Sequence, residues 1–261
     1  MDILDRFSLN GKVALLTGGA GLYGRQILAA LAEAGARTFI ASRDLHSLKK
    51  LAAKHRAWGH RVTAVKFDQR EESSILGLRA ELMKQSDRLD IVVNNAVSRP
   101  MTKGYMDEAT TFSESMRMNA TGLFLVTRAF GDWMASQGGG SIINIGSIQG
   151  MVGPDPTLYR GTRLMGWYPD YFFHKAGMIN FTRFVASYYG AKSIRCNCIS
   201  PGGYKTKQTP AAFNRQYADR TFLGRMANDS DLKGIVVFLA SDASAYITGA
   251  NIPVDGGYTA K

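Results

Sequence analysis

The stretch KVALLTGGAGLYGRQILAALAEAG, Lys12 to Gly35, decides how the rest of the chain is read. It opens as a short apolar run, breaks at glycines spaced G-x-x-G-x-x-G (Gly18, Gly21, Gly24), and continues with apolar residues at helical spacing. Glycines at such a turn let the backbone bend tightly and bring N–H groups against a pyrophosphate. The N-terminus of the following helix favours the negative charge. Tyr23 lies inside the same turn and joins the three glycines as a candidate cofactor contact. A glycine-rich turn alone can be a tight turn with no ligand. This one stands at the first strand, first turn and first helix of the chain, as dinucleotide binding requires.

Outward from it, six further short strand-like runs follow: RTFIAS (37–42), RVTAVKFD (61–68), LDIVVNNA (89–96), SIINIGS (141–147), SIRCNCIS (193–200) and ANIPVD (250–255). Segments such as LHSLKKLAAKH, SSILGLRAELMKQ, FSESMRMNATGLFLVTRAFGDWMAS and YFFHKAGMINFTRFVASYY lie between them with helical periodicity. Strand and helix in alternation predict an α/β fold: a seven-stranded, parallel, doubly wound sheet with helices on both faces. No Pro- or Ser-rich linker and no internal repeat divides residues 1–261, so one domain is expected. The irregular part is 149–169, rich in Gly, Pro, Tyr and Arg. It is longer than an ordinary connection, a length typical of lids and binding elements.

Composition narrows the function classes. The chain has 45% hydrophobic residues and a net charge of +11, which admits anionic small ligands, nucleic acid or a solvated basic surface. Its basic residues are scattered and no nucleic-acid module accompanies them, so no nucleic-acid partner is expected. Cys196 and Cys198 alternate along one strand, wrong for an ordinary disulfide and too few for zinc; with His46, His55, His60 and His174 spread apart, no metal is expected. The opening MDILDRFSLNGK has no basic region followed by an apolar stretch, and no apolar run is long enough to cross a bilayer. The chain is read as cytoplasmic, without a membrane partner.

The turn after the second strand bears on the cofactor. An acid there binds a free ribose 2'-hydroxyl, whereas an arginine accepts a 2'-phosphate. FIASRD places Ser42 and Arg43 at that turn and defers the acid to Asp44, which favours NADP(H) and leaves NAD(H) open if Asp44 swings in.

Tyr171 and Lys175 are four apart on a predicted helix, on one face. A free tyrosine has a pKa of about 10. An ammonium at ~4 Å and an effective dielectric of ~20 contributes roughly 4 kcal/mol, about three pKa units before desolvation opposes it. That brings a phenol toward the range where general acid/base catalysis works. Tyr-x-x-x-Lys alone is commonly structural. Here Ser147 stands at the carboxyl end of a central strand, where open sheets bind ligands, and Asn119 is a polar residue on an apolar stretch. A turn cap and a satisfied core amide are their alternative readings.

Taken together, TGGAGLYG, Asp68 after the third strand, NNAV (94–97), Asn119, Ser147, YFFHK, SPGGYKT (200–206) and GANIPVDGGYTA resemble the short-chain dehydrogenase/reductase family, classical type, over nearly the whole chain. The resemblance implies a Rossmann sheet and hydride transfer between a nicotinamide and a small-molecule ketone or secondary alcohol. It implies a Ser147, Tyr171, Lys175 catalytic set, with Asn119 ordering a relay water, and a homodimer or homotetramer. By the same resemblance Tyr171 passes the proton, Lys175 lowers its pKa and grips the nicotinamide ribose, and Ser147 orients the substrate oxygen. Asp68 and Asn95 flank adenine and ribose, Ala96 is a further cofactor contact, and Pro201, Gly202 and Thr206 close over the nicotinamide.

Four features depart from the family pattern. The middle glycine is at Gly21 where the classical spacing needs it at Leu22; Val97 replaces a glycine; Phe172, Phe173 and His174 fill positions that are usually small; and 24 positions, rather than the family's shorter gap, separate Ser147 from Tyr171. The extra residues hold Tyr159, Arg160, Arg163, Trp167 and Tyr168, which are expected as a flap over the substrate, with an interface or surface loop as the other reading. The opening FSLNGKVALLTG and closing VDGGYTA resemble sugar-acid and 3-oxoacyl reductases of the family. A polyol, sugar or sugar acid is the expected substrate, with a 3-oxoacyl thioester or a non-catalytic NADP(H) sensor as alternatives.

Overall fold

The computed structural model describes residues 2–261. The apolar run after Lys12 becomes β1 (Val13–Thr17), buried at all five positions. A strand covered by helices on both faces has no solvent side, so it shows no polar alternation. Then come α1 (Leu22–Glu33), β2 (Arg37–Ser42), α2 (Leu45–Ala57), β3 (Val62–Lys66), α3 (Glu72–Gln85) and β4 (Ile91–Asn94). The second half supplies α4 (Ala109–Met116), α5 (Leu123–Ser136), β5 (Gly140–Ile145), α6 (Pro169–Tyr189), β6 (Ile194–Pro201), α7 (Ala211–Ala218), α8 (Lys233–Ala240) and β7 (Asn251–Val254).

The strands lie in the order β3-β2-β1-β4-β5-β6-β7, each neighbouring pair parallel. Strand order reverses between β1 and β4, so the crevice at their carboxyl ends is the topological switch point where such sheets bind ligands. All seven expected strands are present, with bounds shifted by no more than two residues. Two cores cover the sheet. Ile27 and Leu31 of α1 and Val236 and Leu239 of α8 pack on Leu16, Ile40, Val93 and Ile143. On the other face Leu78, Val126, Phe130 and Val185 pack on Phe39, Val92 and Ile142.

The long helical pattern over 112–136 departs from expectation. It is not one helix: α4 and α5 are joined by a turn of π-helix, Arg117–Gly122, with Asn119 inside it. Such bulges loosen the i→i−4 ladder and concentrate at functional sites. Here Gln69 Nε2 donates to Met118 O at 3.0 Å, and Gly122 lies so close to Gln69 that a Cβ would stand 2.4 Å from its carbonyl oxygen. α6 begins with Pro169 in its first turn, where the fixed φ and missing N–H are tolerated. Cys196 and Cys198 are both free and buried. Among the described residues no helix is long and apolar enough to cross a membrane.

Candidate active site

After β1 the chain turns through Gly18, at φ +69°, and enters α1 with Gly21 as its N-cap. No side chain caps this helix, which leaves its opening N–H groups to an anion. A Cβ on Gly24 would lie 2.2 Å from Gly18 O, and one on Gly18 would lie 2.9 Å from Ala96 Cα. Backbone contact therefore requires glycine at both places. Gly21 is a milder case, its nearest obstacle Gly18 O at 3.3 Å. Leu22 is exposed and lines the cleft. Asn95 Nδ2 donates to Thr17 O at 3.1 Å and Gly18 O at 2.9 Å, while Thr17 Oγ1 accepts from the N–H groups of Asn95 and Ala96. Val97 is accommodated without left-handed backbone, since Ser193 is the one non-glycine residue with positive φ among the described residues. A flat backbone cradle at a helix N-terminus fits the pyrophosphate of a dinucleotide.

Beyond the cradle a depression of about 490 Å³ is lined by Ser42, Arg43, Asp44, Phe67, Gln69 and Met118, among others. Asp44 Oδ1 accepts from Ser47 N at 3.0 Å as the N-cap of α2, and this bonding to Ser47 holds its carboxyl below the usual range. Asp68 does not line the depression. Arg70 clamps its carboxylate, Nη2 to Oδ2 at 2.7 Å, and lowers its pKa.

At the carboxyl end of β5, Ser147 caps the short 3-10 turn Ile148–Gly150, its Oγ accepting from Gln149 N at 3.1 Å. The hydroxyl keeps its proton to donate. Gly150 lies flat on α6, where a Cβ would stand 2.6 Å from the carbonyl carbon of Lys175, so the turn seats Ser147 beside that helix. Lys175 is buried and donates from Nζ to Ile145 O at 2.5 Å; burial pulls its pKa down. Its Nζ is 5.7 Å from the Tyr171 ring centre. Burial raises the Tyr171 phenol, but Lys175, then Arg99, then bonding to Ser147 outweigh it, and the pKa is lowered.

Asn119 spends its side chain on structure. Its Oδ1 accepts from Ser98 N at 2.9 Å, and its Nδ2 donates to Ser98 O at 2.8 Å and Ser115 Oγ at 3.0 Å. Ser115 in turn donates to buried Asp170 at 2.5 Å. The loop after β4 is thus tied to the start of α6. His174 is buried with neither ring nitrogen partnered, and burial pushes its pKa down to about 3. It stays neutral and adds no third cation beside Lys175 and Arg99.

Ser147, Tyr171 and Lys175 share one cleft of about 630 Å³ with Gly18, Gly21, Tyr23, Ser42, Asn95, Ala96, Pro201 and Gly202. The Tyr23 hydroxyl is committed to Gly202 O, 2.7 Å away, and so joins α1 to the loop after β6. Of the five aromatic and basic residues singled out in 149–169, Tyr159 lines the cleft, whereas Arg160, Arg163, Trp167 and Tyr168 do not. The reason is local. Leu158 is anchored in a small core with Ile148, Tyr217 and Met226, which turns Tyr159 inward. The chain then rises to the surface, exposing Arg160, Arg163 and Trp167. Trp167 backs Tyr159 at 6.4 Å between ring centres. Thr206 is also outside the lining; its backbone N–H donates to Thr209 Oγ1 at 2.9 Å.

The cleft holds residues that sequence reasoning missed. Phe213, Tyr217 and Tyr258 extend the wall begun by Tyr159. Gln149 lies beside Ser147. Most consequential is Arg99, whose guanidinium carbon is 4.2 Å from the Tyr171 ring centre. Its one signal in the sequence was a basic residue just past NNAV, at the carboxyl end of the fourth strand.

Comparison with known proteins agrees with this geometry. The family profile described as enoyl-(acyl carrier protein) reductase matches residues 21–259. The chain is 30% identical to galactitol 2-dehydrogenase (L-tagatose-forming) of Cereibacter sphaeroides, covering 99% of each. It is 31% identical to a 3-oxoacyl-[acyl-carrier-protein] reductase of Aquifex aeolicus, covering 95% of this chain and 98% of the other. A gluconate 5-dehydrogenase from Burkholderia cenocepacia, solved with NADP and tartrate, superposes with a TM-score of 0.88 at 30% identity, covering 100% of both chains. With the seven-stranded sheet, the glycine cradle and the shared cleft, these matches place the chain in the short-chain dehydrogenase/reductase family of NAD(P)(H)-dependent oxidoreductases.

Proposed function

We propose that the protein interconverts a small polyol, sugar or sugar acid and the corresponding ketone, with NADP(H) preferred. The observation that carries this reading is the convergence of Ser147, Tyr171 and Lys175 with the glycine cradle in one cleft. The bound cofactor supplies or accepts the hydride. Ser147 donates to the substrate oxygen and fixes it beside Tyr171, whose hydroxyl gives the proton in reduction and whose phenolate takes it in oxidation. Lys175 keeps the phenol acidic and would hold the cofactor ribose. Asn119 holds the Ser98 backbone and the helical bulge in place, the setting in which a relay water would be ordered. The aromatic wall of Tyr159, Phe213, Tyr217 and Tyr258 suits the C–H face of a small polyhydroxylated substrate. The relatives named for galactitol and gluconate support this substrate class.

A 3-oxoacyl thioester is the second reading, favoured by the Aquifex relative. Turnover assays on galactitol, threitol, gluconate and a 3-oxoacyl thioester decide between them. Activity on the thioester alone would reject the polyol reading, and activity on none would reject both.

The NADP(H) preference rests on Arg43, exposed at the end of β2, with Asp44 already spent as a helix cap. Arg43→Ala is expected to weaken NADPH binding by about 10-fold or more, roughly 1.4 kcal/mol, and NADH binding far less. Equal losses for the two cofactors would refute the 2'-phosphate contact.

We further propose a cytoplasmic homodimer or homotetramer assembled through α5 and α6, where Phe124, Phe184 and Tyr188 stay exposed. Light scattering is expected to give two or four times the 28.5 kDa chain mass. A monomer would overturn this.

A further inference from the structure

Arg99 is a cation at the reacting centre with no acidic partner among the described residues. Its guanidinium sits over the Tyr171 ring and bonds to that side chain, the residue as a whole is exposed, and Arg99 enters none of the ion pairs of the described residues. The other basic residue lining the cleft, Lys175, is buried and bonded to Ile145 O. The one acid lining it, Asp155, is already paired with Arg220, Oδ2 to Nε at 3.0 Å. Charge within the cleft is therefore left positive, and the positive group stands over Tyr171 in the cleft it shares with Ser147. A guanidinium presents planar paired donors whose spacing matches the two oxygens of a carboxylate.

We infer that Arg99 binds a carboxylate of the substrate, so that the reacting molecule is a hydroxy or oxo acid rather than a neutral polyol. This deepens the reading given above and rests on it. The carboxylate would take one edge of the guanidinium while the other stays over Tyr171. That places the acid group near the reacting carbon and fixes which end of a sugar acid enters first.

Matched pairs test it, because each acid differs from its polyol only at chain ends. On cofactor-loaded enzyme, calorimetry is expected to show tartrate binding about 10-fold or more tightly than threitol. Arg99→Gln is expected to bring tartrate down to threitol's level, and Arg99→Lys to restore part of the difference. In turnover, the ratio of kcat/KM for gluconate over glucitol is expected to fall by about 10-fold or more in Arg99→Gln, mostly through KM for the acid. Threitol binding as well as tartrate to the parent enzyme, or a tartrate preference that survives Arg99→Gln, would overturn the assignment. A glycerol phosphate binding more tightly than glycerate would overturn it in favour of a phosphate. The calorimetric arm needs no turnover. If no polyol or sugar acid reacts, the function reading fails, while binding still decides the role of Arg99.

Discussion

A Tyr171→Phe variant is expected to lose about three orders of magnitude in kcat, within the range attributed to a positioned acid/base, while folding normally and binding NADPH close to the parent's affinity. The substitution deletes one oxygen, with its bonds to Ser147 and Arg99, from a ring whose faces and edges keep their packing on Arg99 and His174. Packing therefore changes little and the chemical loss is read cleanly. The pH profile of the parent supplies the sign. Because Lys175, Arg99 and Ser147 outweigh burial, the phenol ionises below its ordinary pKa of about 10. Oxidation, which needs the phenolate, is expected to rise with pH and level off above that lowered pKa. Reduction, which needs the phenol, is expected to fall as pH rises through it. A Phe variant that keeps a tenth of the activity, or parent profiles with the opposite slopes, would remove Tyr171 from the chemistry.

The second large effect is expected from Gly24→Ala. Helix propensity favours alanine over glycine by up to about 1 kcal/mol, the full value applying to a helix interior, so at this first-turn position of α1 a bland residue would be stabilised or left unchanged. Gly24 instead faces Gly18 O, which an added Cβ would approach to 2.2 Å, with Gly19 backbone atoms at 2.9 Å. Neither obstacle is a flexible side chain, so the loop itself must move. Overpacking of this kind costs about 1–3 kcal/mol, and the net sign is destabilising. Calorimetric melting should fall by roughly 2–4 °C for each kcal/mol lost. The displaced loop is also the cofactor cradle, and NADPH affinity should drop about 100-fold, near 2.8 kcal/mol. Gly21→Ala is the control: its Cβ meets only Gly18 O, at 3.3 Å, and both losses should be much smaller. Equal losses at the two positions would show that loop composition, not this contact, matters.

Much of this was legible in the chain because it is local. The seven strands follow from short apolar runs punctuated by turns, and Tyr171 and Lys175 share a face through simple helical spacing. What escaped depends on elements meeting from far apart. Arg99 gains its place only because the loop after β4 lies against α6, and Phe213, Tyr217 and Tyr258 reach the cleft from distant parts of the chain. The loop arginines were attractive by composition, but anchoring of Leu158 turns Tyr159 inward and leaves Arg160 and Arg163 outside. The helical pattern through Asn119 carries no local mark of the π turn, which is supported from outside by Gln69.

The Asn95 and Asn119 contacts have a mechanical consequence. Asn95 fastens the segment after β4 to Thr17 and Gly18, and four residues past Asn95 stands Arg99, just beyond the Ser98 backbone that Asn119 grips. The glycine turn and the arginine thus flank one short stretch of chain that is anchored at Asn95 and at Ser98. The contacts that frame the glycine turn and those that hold Ser98 therefore belong to one run of backbone, so a change at either anchor alters both the cradle and the point from which the guanidinium reaches the cleft.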